Sequence, residues 1–166
     1  MERVLDSAAE LLLRWGYQRV TIEEIARHAR IGKGTVYLHF PNKEALFLTV
    51  MLRAQRRSTA DVLERMQADP AEAMLSRVCR WVYLHVLDDP VLRALYLGDV
   101  EVLGRLTHEA METLGELAAL RLSAVRSHIE VLREVGCMRT DLDLDAQRDL
   151  RRSFPVLQHR RLGITC

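Results

Sequence analysis

At 166 residues the chain is long enough for one ordinary domain, or for a small and a medium one. Aromatic residues make up only 5%, and Leu, Ala, Arg and Glu dominate, which suits an all-helical protein; three widely spaced cysteines (Cys79, Cys137 and Cys166) exclude a disulfide framework and fit a reducing cytoplasm. The net charge of +1 is uneven: residues 1–57 hold ten Lys and Arg against six Asp and Glu, a net +4, and the remainder holds fourteen against seventeen, a net −3.

Val4, Leu5, Ala8, Leu12 and Trp15 mark a first helix, stopped by Gly16. Glu2, Asp6 and Glu10 interrupt its apolar stretch, so it does not read as a signal peptide. Thr21 starts a second helix as N-cap, with Glu24 placed to complete a capping box and Val20 and Ile25 placed as a hydrophobic staple. Ile22, Ile25 and Ala26 give that helix an apolar face, and the turn Ala29-Arg30-Ile31-Gly32 ends it.

A third helix is expected from about Lys33 to His39, with Gly32 as its cap. Val36 and Phe40 share one face; Gly34, Thr35 and Leu38 share the other, with Tyr37 and His39 at its flanks. Pro41 ends the element, because the residue before a proline avoids helical angles. Asn42 caps a long helix that should run to about Met66. Two short helices joined by a tight turn, followed by a longer one, are the arrangement that presents a helix edge to the DNA major groove.

Beyond residue 66 helix signals continue. Asp69-Pro70 with Glu72 starts a helix that runs through Val78, Trp81 and His85. Asp89-Pro90 starts a short one that ends near Gly98, and Asp99 caps another. A long helix is expected from about His108 to Val135, closed by Gly136. Asp143 or Asp145 starts a last helix, but residues 147–152 are polar and Pro155 breaks it. No strand alternation and no apolar run of membrane-spanning length is present in the sequence.

Rival chemistries fail on particular residues. Asp141-Leu142-Asp143-Leu144-Asp145 has the alternating acids of a calcium loop, but Ala146 stands where glycine is needed and Arg152 where glutamate is needed. His108-Glu109 opens a zinc-helix pattern that lacks its second histidine. Gly32-Lys33-Gly34-Thr35 lacks the upstream glycine and strand of a phosphate loop. No nucleophile elbow or dinucleotide fingerprint occurs, so no enzyme, metal or cofactor is expected.

The run IEEIARHARIGKGTVYLHFPNKEAL resembles the DNA-binding half of the tetracycline-repressor (TetR) family of bacterial one-component regulators. Arg30 and Gly32 depart from that pattern, standing where the family commonly has glycine and serine. The resemblance implies an all-α protein: a three-helix helix-turn-helix module over residues 1–47, and a helical ligand-sensing and dimerisation body over residues 48–166 whose C-terminal helix is short or missing.

It further implies a sequence-specific transcriptional regulator, a repressor released by a small-molecule ligand, acting as a cytoplasmic homodimer on a palindromic double-stranded operator. The alternative is a helical interaction or scaffold protein with degenerate ligand control. The expected DNA contacts are Gly34, Thr35, Leu38 and His39 toward bases, and Thr21, Lys33, Tyr37 and Lys43 toward phosphates. Cys79, Tyr83, His85, Tyr96 and Met111 are the expected effector-pocket residues.

Overall fold

The computed structural model describes residues 1–103, 119 and 123–141, and every regular element among them is helical. It divides into two compact units, Met1–Glu116 and Leu117–Cys166. Helix α1 (Glu2–Arg19) buries Val4, Leu5, Ala8, Leu11 and Leu12, the spacing of one helical face. Its continuity breaks at Gly16, whose φ of 72° and ψ of 159° suit glycine and lie outside helical space. Trp15, expected on the apolar stripe, is 38% exposed, and Tyr17, beyond the break, is buried.

Helix α2 (Ile22–His28) has the full capping box, with Thr21 Oγ1 accepting from Glu24 N at 3.2 Å and Thr21 N donating to Glu24 Oε2 at 2.8 Å. Val20 and Ile25, the staple pair, are both fully buried. The helix ends in a Schellman arrangement: Ile31 N donates to Ala26 O at 3.0 Å and Arg30 N to Arg27 O at 3.1 Å. That geometry demands a left-handed residue, and Arg30 supplies it at φ 57°.

Helix α3 (Lys33–Tyr37) is two residues shorter than the sequence suggests. Leu38 and His39 lie in the turn that leads to Pro41, where His39 N and Phe40 N both donate to Val36 O. Val36 and Phe40 are buried together, with Ile31 packed against the same core.

Helix α4 (Lys43–Ala68) is 26 residues long, or roughly 39 Å at 1.5 Å per residue. Asn42 Oδ1 caps it by accepting from Ala45 N at 2.7 Å. Its buried face runs Leu46, Phe47, Val50, Met51, Ala54, Ser58 and Val62. Phe47 is fully buried with its ring edge-on to Tyr17, the centroids 5.5 Å apart, and truncating it to alanine would cost about 3–5 kcal/mol.

Asp69-Pro70 initiates a 3-10 turn (Pro70–Ala73) rather than the α-helix expected there, and α5 (Leu75–Asp88) follows it. Helix α6 (Pro90–Leu97) is capped by Asp89 and ended by left-handed Gly98; α7 (Val100–Leu103) follows, with Val102 N donating to Asp99 Oδ1. Val91, Leu92, Ala94 and Leu103 join α1–α4 in one continuous core. None of α5's residues is fully buried.

The expected functional boundary after residue 47 is therefore not a packing boundary, since α4 crosses it as one helix packed on α1, α5 and α6. In the second unit residues 123–134 are helical, Ile129 and Leu132 are buried, and Gly136 closes the helix at φ 73° as expected. The start of that helix near His108, Met111, and the whole segment from Asp143 onward lie outside the described residues.

Candidate nucleic-acid interface

The α2–turn–α3 unit has one buried and one open side. Val36 and Phe40 anchor α3 inward, which leaves Gly34, Thr35, Leu38 and His39 on the outside, as the helical spacing requires. Leu38 is 82% exposed. A free leucine so fully in water gains nothing for the fold, and it suits contact with a thymine methyl group. Gly34 is also exposed, and a Cβ added there would meet nothing within 4 Å. Neither a left-handed angle nor internal crowding calls for glycine at this position, although glycine is a poor helix former.

The four residues expected at phosphates differ in how free they are. Tyr37 is 44% exposed. Lys33 Nζ is hydrogen-bonded and ion-paired to Glu23 Oε1 on α2 and lies 5.5 Å from the Tyr37 ring centroid. The Lys33 hydrogen bond holds the Glu23 carboxyl below its usual range, and Glu23 correspondingly raises the Lys33 ammonium. The Thr21 hydroxyl is fully used within the capping box, accepting from Glu24 N and donating to Glu24 Oε2 at 2.9 Å.

Lys43 turns inward. Its ammonium donates to Tyr17 O at 2.8 Å and Val20 O at 3.0 Å, and sits 4.0 Å from the Tyr17 ring centroid. Burial pushes its pKa down, offset by Glu44, which itself accepts a hydrogen bond from the Tyr17 hydroxyl. The cation thus satisfies carbonyls around the end of α1 and locks α1 to the start of α4. Sequence spacing gives no hint of this, because the partners are more than twenty residues apart.

Two further basic residues have structural duties that the sequence reading missed. Arg3 donates to Ala29 O at 2.5 Å, tying α1 to the turn before α3. Arg53, on α4, pairs with Glu2 at 2.9 Å and Asp6 at 2.7 Å on α1.

Of the expected pocket residues, Cys79, Tyr83, His85 and Tyr96 are among the described residues, and Met111 lies outside them. Cys79 and Tyr83 on α5 are exposed, Tyr83 by 62%, and Tyr96 on α6 is exposed by 48%. His85 borders a groove, about 410 Å³ in volume, shared with Arg53, Arg57, Asp88 and Val91; its Nε2 is 2.8 Å from Asp61 Oδ2.

Residues 4–50 match the family described as bacterial regulatory proteins, tetR family. The chain resembles that family over these residues, which form α1–α3 and the start of α4. The HTH-type transcriptional regulator YvkB of Bacillus subtilis (strain 168) is 32% identical over 68 residues, 41% of this chain and 35% of that protein. The chain's match thus spans about a third of that relative's length.

Among solved structures, the fatty acid degradation regulator FadR from Bacillus halodurans has a TM-score of 0.72 at 20% identity, covering 92% of this chain and 77% of that one. The transcriptional regulator FadR from Bacillus subtilis, in complex with stearoyl-CoA, has a TM-score of 0.57 at 22% identity, covering 92% and 81%. At these identities the likeness is one of helical fold alone. Among the described residues no helix is long and apolar enough to cross a membrane.

Proposed function

We propose that the protein is a sequence-specific DNA-binding transcriptional regulator, a repressor, that reads the major groove with the outer edge of α3. The observation that carries this reading is the surface made by Gly34, Thr35 and Leu38: glycine where the fold has room for a side chain, beside a leucine left in water. Both choices work against stability and both suit close approach to a base-pair edge. Thr35 and Leu38 are assigned to bases, His39 to the edge of the contact and Tyr37 to phosphate; Thr21 and Lys33 reach phosphate only by giving up Glu24 and Glu23. Lys43 is assigned to phosphate only at long range, since its hydrogen bonds are directed to Tyr17 O and Val20 O.

The protein acts, in this reading, as a homodimer on a palindromic operator, and a small-molecule effector in the body releases it. Continuity of α4 from module to body supports such coupling, as does the Arg53 link from α4 to α1: a tilt of α4 would move the module. The regulator reading requires no catalytic chemistry.

Gly34→Ala separates this account from a purely structural one. The variant should be as stable as the parent or more so, by up to about 1 kcal/mol in thermal unfolding. It should bind DNA at least about tenfold more weakly, because the added methyl group holds the backbone off. Unchanged affinity in a folded variant would remove α3 from the interface.

A further inference from the structure

We propose that Glu23 moderates sequence-independent DNA binding: by holding Lys33 in an ion pair beside Tyr37, it withholds one phosphate contact from any duplex. The inference rests on the DNA-binding reading and adds a residue to it. Glu23 sits on α2 and Lys33 opens α3, so the pair spans the two helices of the motif on its open side. Both side chains are about half exposed, so the pair is not a core contact. No other ion pair of Lys33 or Glu23 is found among the described residues.

A lysine so placed would otherwise be a general phosphate contact next to Tyr37. Each such contact strengthens binding to every sequence alike through counterion release. Glu23 opposes this in two ways. Its carboxylate, held in the charged form by Lys33, competes directly with phosphate for the ammonium. It also adds a like charge that repels the backbone.

The test uses a random-sequence duplex and the full chain, with anisotropy read across a salt series. Glu23→Gln should bind that duplex about three- to tenfold more tightly than the parent, and its slope of log K against log salt should steepen by about 1, the signature of one added phosphate contact. In a Lys33→Ala background the same change should leave the slope as it was and give a smaller gain. Circular dichroism melts of all four proteins confirm that each is folded. If Glu23→Gln matched the parent in affinity and slope, the inference would fail while the DNA reading stood. An equal gain with and without Lys33 would also overturn it, since only bulk charge would then be acting. If the folded parent bound no duplex at any salt, the DNA reading itself would fall, and the inference with it.

Discussion

At the scale of single residues, the module shows which positions serve the fold and which do not. Arg30 serves it at a cost. The Schellman end of α2 needs a left-handed residue, and Arg30 adopts φ 57° to provide one. Its side chain is exposed, so the strain is not repaid by burial. Arg30→Gly is expected to stabilise the protein by about 0.5–1 kcal/mol, seen as a thermal midpoint higher by about 1–4 °C. A lower midpoint would mean that the arginine side chain holds something in place. Arg30's departure from the family's glycine was legible in the sequence, as were the Thr21 capping box, the Val20–Ile25 staple and the inward Val36–Phe40 pair. All are written within a few residues of one another. Lys43 was legible only as a cation at a helix start. Its carbonyl partners at Tyr17 and Val20 depend on how α1 meets α4, which local spacing does not encode.

At the scale of elements, α4 joins the DNA-facing module to the body, and its far end is clamped to α5. Arg65 bonds Asp61 at 2.7 Å and stacks 3.7 Å from the Trp81 ring centroid. Asp61 also meets His85, and Trp81 donates to Glu72, which pairs with Arg77. The Arg65 hydrogen bond, with His85 as a lesser contributor, holds the Asp61 carboxyl below its ordinary value of 3.8. Because the folded-state value lies below the unfolded one, the Asp61 contribution is fully present above about pH 4 and is lost as pH falls through the folded value. Asp61→Asn should therefore lower the melting temperature at pH 7 but flatten its decline between about pH 5 and pH 3. A parallel decline in parent and variant would show that Asp61 does not carry the clamp. Helix starts at Asn42, Asp89 and Asp99 were readable from their caps. The 3-10 turn at Pro70–Ala73 was not, because Asp69-Pro70 starts either kind of turn equally well. The pocket residues were least readable: Tyr83 and Tyr96 are amphipathic side chains, whose exposure depends on what covers α5 and α6.

At the scale of the whole molecule, the central claim is sequence-specific binding of duplex DNA through α3. Charge agrees with it in sign, with net +4 over residues 1–57 against −3 over the rest, but a charge imbalance alone would give only sequence-independent attraction. What distinguishes a regulator from a basic helical protein is the ratio between one sequence and all others. The most direct measurement is selection of duplexes from a random pool by the purified chain, followed by anisotropy titration of the enriched sequence and a scrambled copy at two salt concentrations. The account predicts enrichment of a palindrome with half-sites about 10–10.5 base pairs apart, or a multiple of that, bound at least about 10³-fold more tightly than its scrambled copy. Failure to enrich any sequence, or equal affinity and equal salt dependence for the two duplexes, would contradict it.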